Sequence, residues 1–351
     1  MANNRLIRSP QNLTVSSSNS SVKSVRLNIT LNGGSTPTYS LIVNASANEN
    51  INFEYAELVR DYLDLELGSS GTPSTITAFT ILLSVTFWDN VNPSAGGASQ
   101  LGATTVSTVY GFDGYGTFAE DYNPDMSETA FPAISNFDWG GSSSSGTKVY
   151  TVYAPKDSAL VIPSINNHQV VYTSSGINAT SMTVEGVTIN IERVHCTKYT
   201  DENSGYWSSV DVTGFRVYFI NKYGAIQTEF FTLKAVEKIS SKRSNYNSNI
   251  VEYNGNYDVN KHTKRDFDIT GQQSITLSSF FVPEYYNKVF TEMLLSEKVW
   301  VRMREPYTGN FTNIPINIKD TGFEYKNVTN DKLISFTFNF DMSFDYINNI
   351  R

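Results

Sequence analysis

In the stretch ISFTFNFDMSFDY, residues 334–346, every second residue is large and apolar. From Ser335 onward the residues between them are polar, so an extended chain has one apolar and one hydrophilic face here. This period of two is typical of a half-buried antiparallel strand. A strand over residues 333–346 would be much longer than the common length of about 17–20 Å. We therefore expect a long partner strand, a bulge or a neighbouring chain to cover it.

The sequence before this stretch contains one helical pattern between short apolar strands. Apolar residues with helical spacing predict a helix near 284–297, and they are Tyr286, Val289, Phe290, Met293 and Leu294. Pro283 suits the first turn of that helix. Together with the final strand over 333–346, these elements predict a C-terminal β domain over residues 156–351.

The N-terminal half has alternating patterns of its own. They predict a β domain over residues 25–155 with a long loop over 111–147, and a short helix where helical spacing recurs at Tyr55, Leu58, Val59 and Tyr62. The expected fold is mainly β, with two antiparallel β-sandwich or barrel-like domains and one or two short capping helices. Residues 1–24 are polar and rich in Ser and Asn. They predict an arm that orders only against another molecule, so its removal should leave a folded monomer that no longer assembles.

The charge of the chain limits its partners. The net charge is -8 and the sequence pI is near 5.0, which disfavours binding along a nucleic-acid backbone. Two basic clusters, Lys242 with Arg243 and Lys261 with Lys264 and Arg265, fall in polar segments. We interpret residues 238–254 as a solvated loop and residues 255–272 as a loop with at most one edge strand.

Aromatic residues in long polar segments are the candidate interface. The residues concerned are Tyr115, Phe118, Tyr122, Trp139, Tyr206 and Trp207. Long loops inside compact domains are usually functional, and exposed rings there would form a binding surface. The alternative is that these rings pack back on their own domain.

No residue pattern indicates an enzyme, and we expect no cofactor or metal. His195 and Cys196 are neighbours on a predicted strand, so their side chains should point to opposite faces. His168, His195 and His262 lack zinc-ligand spacing. The carboxylates Glu57, Asp61, Asp64 and Glu66 fit a solvated helix face better than a Ca²⁺ loop, since such loops need closely spaced oxygen ligands with a Gly at the bend.

Cysteine content and hydropathy favour a protein that folds in a cytosol. The single cysteine excludes an internal disulfide framework. The first residues contain no apolar signal core, and no apolar run reaches membrane-spanning length, so no membrane insertion is expected.

Two function classes remain open. Long strands, an N-terminal arm and low charge suit a subunit of a symmetric ring, in which neighbours cover edges that one chain leaves open. The alternative is a receptor- or carbohydrate-binding adhesin or decoration protein that uses the Tyr- and Trp-bearing loops.

The sequence resembles a family of virion structural proteins of tailed bacteriophages of Bacteroidetes-type hosts. The matching segments are 4–10, 53–63, 219–227, 293–301, 330–334 and 346–351, for example the run Phe219-Ile220-Asn221-Lys222-Tyr223-Gly224. The resemblance implies a ring-forming tail, neck or baseplate component, made in the host bacterial cytoplasm and located in the virion. Its partners would be copies of itself, other virion structural proteins and, as a further possibility, a host surface receptor. No catalytic residues come with the resemblance.

Overall fold

The computed structural model of the protein describes residues 3–69, 73–118, 126, 130–137, 150–194, 214–249, 255–256, 260–304, 310–320, 322 and 334–346. Strands make up 53% of the structure and helices 7%, which confirms a mainly β, sandwich-like fold. The described strands form five sheets. The sequence predicts antiparallel sheets, but two strand pairs are parallel. They join residues 4–6 with 110–112 and residues 150–155 with 189–194.

The first sheet has five strands, and a two-stranded ribbon lies over one of its faces. In spatial order its strands are β1 (Asn4–Leu6), β8 (Gln100–Phe112), β7 (Phe79–Trp88), β3 (Ser24–Leu31) and β4 (Tyr39–Asn44). The ribbon consists of β2 (Asn12–Val15) and β5 (Ile51–Glu54). Because β3 and β7 present apolar residues at every second position, a continuous core forms between the sheet, the ribbon and the helix that follows it.

That helix, α1 (Ala56–Arg60), confirms the predicted short helix. It begins where the Glu54 carboxylate accepts a hydrogen bond of 2.8 Å from the Ala56 N–H, which satisfies one of the free donors of the first turn. Tyr55 and Val59 are buried in the core of the first sheet, whereas Tyr62 is exposed. The helix thus closes one end of the sheet.

Two smaller sheets enclose a second core. One has the strands β10 (Tyr150–Pro155), β14 (Val187–Val194) and β13 (Ser181–Val184). The other has the strands β6 (Ile76–Thr77), β12 (Gln169–Ser174), β11 (Val161–Asn166) and β9 (Ala130–Pro132). The predicted hairpin at Glu185-Gly186 is present, and both residues have the positive φ that a tight hairpin turn requires.

Strand pairing does not divide near residue 155, where the sequence suggests a domain boundary. The strand β10 pairs along its whole length with β14, and β6 pairs with β12. Phe230, from the following sheet, packs in the same core as Val152 and Ile162. Residues on both sides of position 155 therefore share sheets and cores.

The largest sheet has seven strands and carries the main core. In spatial order they are β16 (Ile226–Phe231), β15 (Phe215–Ile220), β19 (Val299–Arg304), β20 (Phe311–Ile318), β21 (Thr337–Met342), β18 (Lys264–Ser278) and β17 (Ala235–Asn247). A 3₁₀ turn, Glu284–Tyr286, leads into α2 (Asn287–Leu295), in the position predicted for the helix. Val289, Phe290 and Met293 face the sheet and are buried.

The stretch from Ile334 to Tyr346 is a shorter strand than its pattern predicts. β21 covers only Thr337–Met342, and Ile334 makes an isolated bridge with Val282. The apolar positions from Ile334 to Met342 are all buried, as predicted. Phe344 and Tyr346 continue the alternation but are 49% and 47% exposed, because they follow the end of the strand. Residue 333 lies outside the described residues.

The N-terminal segment is not an arm that needs another molecule to order. β1 pairs with β8, and Leu6, Ile7 and Val22 are each at most 5% exposed. Arg8 holds Asp113 through two hydrogen bonds, of 2.6 Å from Nε and 3.1 Å from Nη2. The prediction was wrong because three buried apolar residues, two of them adjacent, are too few in a polar sequence to produce a periodic signal.

Residues 238–247 and 264–272 are not loops but most of a long hairpin. β17 and β18 pair from Ala235 with Leu277 to Asn247 with Lys264, with one register shift between Ser244 and Asn245. At about 3.3 Å per residue, the 13 residues of β17 extend for about 43 Å.

Candidate assembly surface

The β17–β18 hairpin extends beyond the sheet to which it belongs. β18 pairs with β21 only over Ser274–Ser278. Further along β18, the Tyr346 N–H donates to the Gly271 carbonyl at 2.8 Å and the Gln272 side chain donates to the Met342 carbonyl at 2.7 Å. From Lys264 to Thr270, the only described strand that pairs with β18 is β17. We call this distal part, residues 242–247 with 264–270, the hairpin arm.

Little apolar surface is buried along the arm. In β17, 11 of 13 residues are exposed, so neither of its faces lies against a core. Tyr246 and Phe267 form a ring pair with centroids 5.9 Å apart, and yet they are 46% and 67% exposed. A two-stranded ribbon is at best marginally stable by itself, and its stability normally comes from a surface that covers one face. The arm is therefore suited to dock on another surface.

The hairpin is basic in an acidic protein. Its two strands carry five basic and three acidic side chains, whereas the whole chain has a net charge of -8. One of these charges is partly compensated within the arm, since Arg243 pairs with Asp266 at 3.1 Å. An excess of positive charge on a projecting element favours contact with an acidic surface.

The outer edge of β4 is a second candidate contact. Among the described strands β4 pairs only with β3, on its inner side. Ile42 and Val43 are 45% and 39% exposed on this edge strand. β4 contains no charged residue and no proline, the features that commonly protect a free edge.

Exposed carboxylates lie beside the start of β4. The Tyr39 and Tyr62 hydroxyls are 3.1 Å apart, and their rings meet edge to face. Asp61, which precedes Tyr62 directly after α1, is exposed, and so is Glu57 one turn earlier on the helix. The other two carboxylates of the predicted solvated face, Asp64 and Glu66, both accept hydrogen bonds from Lys298.

Only two of the six predicted interface residues fall within the described part of the chain. Phe118 is 79% exposed. Tyr115 is half-buried, and its backbone N–H donates to the Lys222 carbonyl at 2.8 Å, so it is held by the turn after β15. Tyr122, Trp139, Tyr206 and Trp207 lie outside the described residues. Sequence reasoning missed the arm, because it has no apolar face that a period of two would reveal. The strand β4 does alternate, with Tyr39 and Leu41 packed on the core, but this pattern does not indicate that its outer edge has no partner among the described strands.

A buried polar network is the other unusual cluster. Glu229 accepts hydrogen bonds from Gln227 at 2.9 Å and from the Tyr286 hydroxyl at 2.8 Å. Gln227 in turn accepts from Ser135 and Asn221. Burial raises the pKa of Glu229 to about 7, while the two hydrogen bonds act in the opposite direction. The network connects β16 to the 3₁₀ turn that precedes α2 and to residues near β9, and it is too enclosed to receive a ligand.

A surface pocket lies between the first sheet and the β15–β16 turn. It has a volume of about 200 Å³ and is lined by residues such as Tyr62, Phe79, Asp113 and Gly224. Ligand pockets usually measure about 300–1,000 Å³. Its Asp113 is already paired with Arg8. The pocket is therefore a poor candidate for a small-molecule site.

The described residues contain neither a metal-binding cluster nor a membrane-spanning helix. Within those ranges no group of three or more His, Cys, Asp or Glu side chains is arranged to hold a metal ion. No helix there is long and apolar enough to cross a membrane.

No protein-family model matches the sequence, and no curated protein is similar to it at a significant level.

Proposed function

We propose that the protein is a structural subunit of a tailed-phage virion, a ring-forming tail, neck or baseplate component that assembles with copies of itself and with other virion proteins. The observation that carries the assembly function is the hairpin arm. It is long, exposed on both faces and paired within itself, so its stability increases when a neighbouring subunit covers it. The resemblance of the sequence to virion structural proteins supports the placement in a phage particle.

The arm can be removed without touching the core. Residues 242–270 would be replaced by Asn-Gly, which joins the paired residues Ser241 and Gly271 through a two-residue turn. The pairing of β18 with β21 and the contact of Tyr346 with Gly271 are retained.

Size-exclusion chromatography with light scattering tests the proposal. We expect the full chain to form a multimer of defined mass and the shortened variant to be a monomer with an unchanged melting temperature. A full chain that stays monomeric at all accessible concentrations would contradict the assembly function.

A receptor- or carbohydrate-binding adhesin is the second candidate. The exposed Tyr246 and Phe267 ring pair favours it, because aromatic faces stack on sugar rings. Binding of the full chain to a glycan array, lost in a Tyr246→Ala/Phe267→Ala variant that still assembles, would support the adhesin. Loss of assembly in this variant without any glycan binding would support the structural subunit.

A further inference from the structure

We propose that β17 of one copy adds to the free edge of β4 in the next copy, as a sixth strand of the first sheet. This inference rests on the proposed function, and it names the surface that receives the hairpin. The occupant is a second copy of this chain, and the interface joins two different patches of the subunit.

The backbone of β4 has groups directed away from β3. The Ala45 N–H donates to the Lys23 carbonyl at 3.0 Å, and the register places Val43 opposite Val25 and Leu41 opposite Leu27. Hydrogen bonding alternates along an antiparallel strand. The N–H and C=O groups of Ser40, Ile42 and Asn44 therefore point outward, where a further strand can pair with them.

Charge selects β17 as the incoming strand. β17 carries three exposed basic residues, Lys238, Lys242 and Arg243, and one exposed acidic residue, Glu237. β4 carries no charge, and its Tyr39 contacts Tyr62, which follows the exposed Asp61 in the chain. Pairing of β17 with a second β17 would bring like charges together, which is unfavourable across a sheet. Pairing of β17 with β4 brings basic groups towards acidic ones.

β16, the strand at the other end of the seven-stranded sheet, is less suited than β17 to pair with β4 of a neighbouring copy. Every residue of β16 is buried, and this strand packs against β10 and β11. β17 is instead exposed over most of its length, with Val236 and Ile239 available to contact Ile42 and Val43 of a neighbour. The contact would thus join apolar side chains as well as backbone groups.

The geometry has a consequence for the assembly. Each copy offers one donor strand and one acceptor edge, so the contact is head-to-tail and does not close on itself in a dimer. Head-to-tail contacts produce rings when the rotation closes and filaments when it does not. A ring built in this way would have all its copies in equivalent positions.

Opposite charges at one exposed position test the contact. Ile42 is 45% exposed, so Ile42→Lys and Ile42→Glu should both fold. Lysine would face the basic β17 and should weaken association by about tenfold, whereas glutamate should preserve or strengthen it. Dissociation constants from sedimentation would be compared at low and high salt, because salt should reduce the difference between the two variants.

A backbone variant and a charge exchange complete the test. Ile42→Pro removes an outward N–H without removing a bond to β3, and it should also weaken association. Lys242→Glu should restore assembly to the Ile42→Lys variant. If β4 instead pairs with another β4, both charged variants weaken association and no restoration occurs, which would overturn the inference.

The two proposals fail separately. If all Ile42 variants assemble like the natural chain while the shortened variant is monomeric, the arm docks elsewhere: the inference is overturned and the proposed function stands. A full chain that is itself monomeric would overturn both.

Discussion

Phe338 and Phe344 occupy the same face of one alternating pattern but have opposite environments. Phe338 is 3% exposed and contacts the rings of Phe231 and Phe290 at centroid distances of 6.1 and 5.5 Å. Phe344 is 49% exposed. We expect Phe338→Asp to lower the free energy of unfolding by about 4 kcal/mol or more, since it buries an unpaired carboxylate and leaves a cavity. Phe344→Asp should change it by about 0.5 kcal/mol or less.

Urea unfolding of both variants beside the natural chain measures these differences. The two substitutions are chemically identical, so Phe344→Asp is the matched control for introducing a carboxylate. Equal losses in the two variants would mean that the strand continues past Met342.

Glu229 gives the protein a pH dependence of known sign. Its folded pKa is raised to about 7 from the ordinary 4.5, so between these values the folded state holds a proton that the unfolded state has released. The contribution of this group to stability is complete below pH 4.5 and is lost as the pH rises through 7. The total is roughly 3 kcal/mol. Glu229→Gln should remove this decline.

The measurement is the free energy of unfolding of both chains from pH 4.5 to 8. Tyr286→Phe provides a second check, because the hydrogen bond from Tyr286 lowers the pKa of Glu229. Without that bond the decline should move to higher pH. A Glu229→Gln variant with the same slope as the natural chain would mean that other groups cause the pH dependence.

Single residues were predictable where burial and periodicity agree. The alternation from Ile334 to Met342 correctly assigns every apolar side chain to the core. The alternation predicts the burial of Phe344 wrongly, because a local pattern does not show where the pairing with the neighbouring strand ends. Glu229 was not recognisable as unusual, since its network joins residues far apart in the sequence.

At the scale of elements, the presence of a buried face or of a specific turn decides which helices and strands the sequence predicts. The helix near 284–297 was predictable because one of its faces is buried. The hairpin at Glu185-Gly186 was predictable because its tight turn needs residues that accept positive φ. β17 and the outer half of β18 lack an apolar face, since both of their sides are largely exposed. Elements without a buried face are therefore the ones least visible in the sequence of a single chain.

One part of the candidate assembly surface could be predicted from the sequence, and another part could not. An exposed aromatic such as Phe118 can be selected from composition. The edge of β4 becomes a candidate only when the sheet order shows that it has a neighbour on one side. The order of strands in a sheet cannot be inferred from a local sequence pattern.

At the scale of the whole molecule, the N-terminal segment connects parts that are distant in the chain. Leu6 packs in a core with Tyr223 and Ala225, whereas Ile7 packs in the core of the first sheet. Arg8 pairs with Asp113 and also approaches Glu297, after α2, at 3.3 Å. Leu6, Ile7 and Arg8 therefore connect the first sheet to the turn after β15 and to the residue Glu297 after α2.

This role predicts that loss of the segment reduces stability rather than only assembly. Burial of a side chain such as Leu6 or Ile7 contributes about 1.5–3 kcal/mol, so deletion of residues 1–23 should lower the melting temperature markedly or prevent folding. Leu6→Ala is the milder variant and should cost about 2–5 kcal/mol. Ser18→Ala/Ser20→Ala, at exposed positions of the same segment, should have little effect. Thermal unfolding followed by circular dichroism measures the melting temperature of each variant. If residues 1–24 were an arm needed only for assembly, the truncated chain would melt like the full chain and lose only its ability to assemble.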